Sequence, residues 1–199
     1  MDSDFVLSFL TQGIKHVLTG LDHMLFAIGL VIALTGFWEV FKIIGLFTIA
    51  HSISVVVTAW HGRQLVSPSI VEPAIGASII LIAVENILLN QDRFTVRRAT
   101  LVFLLGLIHG MAFGNELLSK LVGIPGNAAA WAVGAFCVGV EAGHLCLVAP
   151  LSGVLKIGRD ACGETFRRHS LKWGSMLVAL GGCYYFAVAL YKALTGGEQ

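Results

Sequence analysis

The sequence predicts an all-α, polytopic transmembrane bundle, and three observations carry that reading. The 199 residues are 56% hydrophobic and only 13% charged, whereas a soluble domain carries roughly a quarter charged residues. The charges are also segregated, falling between apolar runs long enough to cross a hydrocarbon core about 30 Å thick. Inside such a core the backbone finds no water, so each run has to satisfy its own polar groups as a helix. The whole chain, 1–199, is expected to form one integral membrane domain.

Six spans are expected, at residues 19–36, 38–60, 69–90, 97–119, 128–155 and 171–194. The segment FVLSFLTQGIKHVL precedes the first and is too short to cross alone. It is expected to lie as a short interfacial helix, or to extend the first span across Gly20. Trp38, Trp60, Trp131 and Trp173 fall near span ends, where amphipathic rings anchor at the membrane surface.

Orientation follows from the basic residues. The links after spans one, three and five hold Lys42, then Arg93, Arg97 and Arg98, then Lys156, Arg159, Arg167, Arg168 and Lys172. The opposite side holds Lys15, Arg63, Lys120 and Lys192. The positive-inside rule therefore expects a multi-pass protein of a bacterial inner membrane with both termini in the periplasm. A net charge of +1 without a basic face excludes nucleic acid as a partner. The acidic start MDSDFVLSFL does not read as a signal peptide. Cys137, Cys146, Cys162 and Cys183 lack C-x-x-C spacing, and three fall in expected spans, which argues against a disulfide framework.

An internal echo pairs GLDHMLFAIG (20–29) with GLIHGMAFGN (106–115), and AHSISVV (50–56) with GHLCLVA (143–149). It relates span one to four and span two to five. A unit of three spans must invert in the membrane, the 3+3 arrangement that many transporters build around a midplane site.

The ionisable residues inside the spans are the functional signal, because a charge near the bilayer centre costs at least about 2.5–3.5 kcal/mol. They are His16, Asp22, His23, His51, Glu72, Glu85, His109, Glu116, Glu141 and His144, with Asn86 and Asn115 beside them. His16 and His23 stand seven apart, two helical turns, as do His109 and Glu116. Cys137, Glu141 and His144 share one face, and Glu141-x-x-His144 has the spacing of di-iron bundles. Imidazole with carboxylate suits Ni, Co, Zn, Cu or Fe, whereas Ca or Mg favours oxygen alone. Structural readings stand beside these: a helix-start ion pair for Asp22–His23, an interhelical bond for His51, a buried network for Glu141–His144, and simple packing for Cys137. His61 and His169 fall in links and are expected to be solvated. By depth, Asp22, His23, Glu72 and Glu116 group at the outer side, and His51, His109 and Glu141 near the midplane. Glu85, Asn86 and His144 fall deeper, with Glu85 an exit or proton-carrying group. That distribution reads as a trail of ligands.

The segments GIKHVLTGLDHMLF, IAHSISVVV, SIVEPAIGASI, FLLGLIHGMAFG and GVEAGHL, in this order, resemble the HupE/UreJ family of hydrogenase- and urease-associated membrane proteins. The resemblance covers roughly residues 10–150. It implies a permease for nickel, or nickel and cobalt, with hydrogenase or urease maturation proteins as partners. His16, Asp22 and His23 form H-x5-D-H, similar to the H-x4-D-H signature of the wider nickel/cobalt transporter family but one residue longer. His51-Ser52 is similar to that family's HS-containing helix. The leading expectation is a secondary permease for a divalent transition metal, Ni2+ first, with Co2+, Zn2+, Cu2+ or iron behind it. No Walker motif accompanies it. The alternatives are an intramembrane metalloenzyme, either a zinc hydrolase or a di-iron enzyme, and a metal-binding accessory or sensor protein. A homo-oligomer is compatible with all of these.

Overall fold

The apolar runs become helices wherever they were expected, and the breaks fall at glycine, proline and polar links. The computed structural model describes residues 3–89 and 93–196; Asn90, the expected last residue of the third span, lies outside them. The elements are α1 (Ser3–Thr19), α2 (Leu21–Ala33), α3 (Phe37–His61), α4 (Pro68–Leu89), α5 (Val96–Leu121) and α6 (Gly126–Thr195). No strand occurs among the described residues. α6 is two helices joined at Gly163, whose φ of 61° and ψ of −145° lie outside the helical region. A side chain there would be strained, so glycine sets the corner between its limbs, 126–162 and 164–195. α3, α4, α5 and α6 are each long and apolar enough to cross a membrane.

The N-terminal segment departs from the expected interfacial helix. α1 packs into the bundle along the first limb of α6, burying Phe9, Gly13 and Val17. Gly13 and Gly139 make this possible: a Cβ on either would run into the backbone carbonyl of Phe136 or Leu10. α1 and α2 meet at Gly20 with a bend of 68°, and only together are they long and apolar enough to cross a membrane. Thirteen residues of α2 rise about 20 Å, short of the hydrocarbon thickness. Contacts show where the pair runs. Phe5 and Phe9 of α1 cluster with Leu121 and Ile124 at one end. At the other end Arg159 donates to the carbonyls of Leu34 and Thr35, just beyond α2. The extension across Gly20 is thus a broken helix pair, bent at mid-depth.

Two apolar clusters hold the bundle. Phe9, Val17, Val55, Phe113, Leu117 and Phe136 fill the end near α1. Phe26, Leu30, Ile43, Ile44, Phe47, Ile75, Ile79, Ile82 and Val102 fill the rest. Polar side chains gather between them.

Candidate metal centre

His23 sits at the start of α2, one turn past the bend, and is fully enclosed at 1% exposure. Four other imidazoles surround it. Ring centroids lie 4.5 Å away for His16 of α1, 5.4 Å for His51 of α3, 5.5 Å for His109 of α5 and 5.8 Å for His144 of α6. His51, His109 and His144 are wholly buried, and His16 partly so. Gly110 lets α5 come close enough: a Cβ there would strike the His51 carbonyl. Phe26 and Phe47, stacked at 4.7 Å, floor the cluster, and Phe113 covers His16 at 4.0 Å.

The Asp22 carboxylate adds an anion, 3.1 Å from His23 Nδ1 and 3.9 Å from His109 Nδ1. Two ligand groups result, His16–His23–His51 and Asp22–His23–His109, each with donor atoms within 4.8 Å of one another. They share His23. A four-coordinate ion with bonds of about 2.0–2.1 Å holds its donors roughly 3.4 Å apart, and the two Asp22 contacts bracket that spacing.

Hydroxyl groups orient two of the rings. Ser78 Oγ donates to the Ile75 carbonyl at 2.6 Å and lies 2.9 Å from His109 Nε2. With its proton committed, the hydroxyl accepts from Nε2–H, which leaves a lone pair on His109 Nδ1, the atom facing Asp22. Thr48 repeats the device. Its Oγ1 donates to the Ile44 carbonyl and takes the Nδ1–H of His144 at 3.1 Å, leaving Nε2 as acceptor. An imidazole whose second nitrogen is anchored in this way is the usual form of a metal-ligating histidine. His16 Nε2, both nitrogens of His51, His23 Nε2, His109 Nδ1 and His144 Nε2 are buried without a protein hydrogen-bond partner. Buried polar atoms normally have partners. Unpartnered imidazole lone pairs converging beside a carboxylate fit a transition-metal ion.

A cavity of about 750 Å³ reaches from this cluster to one end of the bundle. His16, Asp22 and Phe113 line its depth, and Gln64, Ser119 and Lys192 its mouth. Glu72, Asn115, Glu116 and Tyr185 line the walls.

The expected trail across the membrane gathers instead into one cluster with a vestibule. His16, Asp22, His23, His51, His109 and His144 come together, the His144 ring standing 5.8 Å from that of His23. Glu72 stands in the vestibule, half-buried. Glu116 is exposed there and pairs with Lys120 at 2.8 Å, because Leu117 takes the buried face of that turn. Glu141 lies apart, in an apolar groove between α3 and α6 with Cys137, Ser52 and Ile53. Glu85 is held by Arg97 and Arg98 beyond the apolar layer. His61 and His169 are exposed and bond their own helix carbonyls. Ser78, Thr48 and Tyr185 escaped the sequence reading, since a lone hydroxyl in an apolar helix usually bonds its own backbone. Their helical offset from the ionisable residues of neighbouring spans was the available signal.

The family model described as HupE / UreJ protein matches residues 2–189, nearly the whole chain. Neither the comparison with curated proteins nor that with solved structures yields a match.

Proposed function

This chain belongs to the HupE/UreJ family, and on that premise we propose that it is a secondary permease for a divalent transition-metal ion, Ni2+ first. One observation carries the reading: four imidazoles from four other helical elements converge on His23 and Asp22, with free ring nitrogens, at the blind end of an open cavity. A cation entering past Glu116 and Glu72 would shed water against carboxylates before reaching His16, Asp22 and His23. It would then bind His23 with either His16 and His51 or Asp22 and His109, His23 turning between the two groups. His144 offers a further donor on the far side. The vestibule end is the outer, periplasmic one by the distribution of basic residues.

Imidazole nitrogens favour Ni2+, Co2+, Zn2+ and Cu2+ over the hard cations. A site at the end of an open cavity suits an ion that exchanges, whereas a structural site is closed and tetrahedral. The test is Ni2+ uptake into proteoliposomes by the wild type, His23→Ala and His109→Ala. Uptake by wild type alone is the expected result. Tight stoichiometric retention without uptake would favour an accessory or enzymatic role and overturn the permease.

A further inference from the structure

We propose that Glu85, Asn86 and Arg98 form the gate that shuts the metal route at the basic end of the bundle, and that the ion leaves by opening it. The proposal rests on the permease reading of the histidine cluster. Its evidence is the asymmetry between the two ends. Toward the vestibule the cluster is open. Toward the basic end, Phe26, Leu30, Ile79, Ile82 and Val102 form a layer buried to 1% exposure or less.

Behind that apolar layer lies the second polar network of the core. Asn86 Nδ2 donates to the Gly29 carbonyl at 2.7 Å, and Arg98 Nη2 donates to Asn86 Oδ1 at 3.0 Å. Glu85 takes Arg97 Nη2 at 2.6 Å and faces Arg98 Nη1 at 3.6 Å. The network spans α2, α4 and α5, the same helices that supply His23, Ser78 and His109. Gly29, Asn86 and Arg98 stand six, eight and eleven residues from those groups, about 9, 12 and 16 Å along the axes. On α5 the positions 98, 102, 105 and 109 form one buried stripe from the guanidinium to the imidazole.

Two features make this network a gate rather than a staple. First, Arg98 is completely buried, and a guanidinium cannot give up its charge. A divalent cation moving past it is repelled unless Arg98 is neutralised or turned aside. Second, the ion pair is loosely made: Arg98 Nε and Nη1 and Glu85 Oε2 lack hydrogen-bond partners. Buried charges are secure only when geometry and hydrogen bonding are both complete. Glu85 already bridges the buried Arg98 and the surface Arg97, which is 57% exposed. Opening breaks the Arg98–Asn86–Gly29 clamp and draws Arg98 with Glu85 toward Arg97, which frees α2 from α4 and α5.

The experiment uses the full chain with its four cysteines changed to serine and Val102→Cys as reporter, in sealed vesicles of each orientation. A membrane-impermeant maleimide reads access. In the otherwise native background the reporter should label slowly from the face bearing Arg97. Arg98→Gln and Glu85→Gln should each raise that rate about tenfold or more, from that face only. The exchange Glu85→Arg with Arg98→Glu should slow it again, which mere loss of packing would not allow. Ni2+ affinity in detergent should stay within about threefold of wild type in Arg98→Gln. Equal labelling in all backgrounds, or no rescue by the exchange, would overturn the gate. Should Arg98→Gln fail to elute as a single species, Arg98→Lys serves instead; it keeps the charge but loses the fork, and should also speed labelling. Ni2+ uptake by the wild type in the same vesicles reads the permease separately. Gated labelling without uptake sinks the permease alone, and uptake with ungated labelling sinks the gate alone.

Discussion

At the residue scale, His23 decides the site because both ligand groups need it. His23→Ala should abolish measurable Ni2+ binding, whereas His16→Ala removes one group only and should leave weakened binding. Ser78 acts through His109. Ser78→Ala frees the ring to take the other tautomer and should cost about 10–100-fold in Ni2+ affinity, while Ser78→Thr keeps a hydroxyl and should recover most of it. Titration calorimetry with Ni2+ measures both, and equal affinity for Ser78→Ala and wild type would remove the orienting role. Glu116→Gln should change affinity little, since Glu116 already belongs to Lys120. Protons compete with the metal for the same lone pairs, so binding weakens as pH falls and releases protons when it occurs.

At the element scale, the cluster depends on how closely three helix pairs approach. Gly13 with Gly139 brings α1 onto α6, Gly110 brings α5 onto α3, and the bend at Gly20 turns His23 back toward His16. Gly110→Val should force α3 and α5 apart and cost about 1–3 kcal/mol, lowering thermal stability and Ni2+ affinity together. Unchanged stability in that variant would show that the helices relax freely at the contact. These approaches also mark where sequence reasoning stops. Apolar runs locate helices because lipid admits few alternatives, and polar residues within them picked out His16, Asp22, His23, His51, His109 and His144. Periodicity, however, places a residue on a face of its own helix and says nothing of which neighbour meets that face. Glu141 shares α6 with His144, yet one carboxylate lines an outer groove while the imidazole joins the cluster. Glu85 reads from sequence as an exit or proton-carrying group, and only the approach of α5 reveals its partners, Arg97 and Arg98. The bend was hidden for a related reason. Gly20 permits a break, but the packing of α1 along α6 is what makes one.

At the scale of the whole molecule, one end is hollow, with a cavity of about 750 Å³, and the other has only a pocket of about 150 Å³ and is rich in arginine. The cavity mouth holds Gln64, Ser119 and Lys192, and the basic end holds Arg97, with Lys156 and Arg159 on the small pocket there. Were the basic end cytoplasmic, as the positive-inside rule expects, this form would open toward the periplasm. Reporter fusions at either terminus should be active only in the periplasm; cytoplasmic activity would reverse the direction assigned to the route. The broken pair α1–α2 and helix α5 deliver His23 and His109, and α3 and α6 deliver His51 and His144, the same pairs that the internal sequence echo relates.

The central claim is that these imidazoles hold the transported ion, and X-ray absorption at the nickel edge of the purified, Ni2+-loaded protein tests it most directly. At least two imidazole nitrogens at about 2.0–2.1 Å are expected, with their outer-ring scattering lost in His23→Ala. A spectrum of oxygen ligands alone, unchanged by His23→Ala, would contradict it.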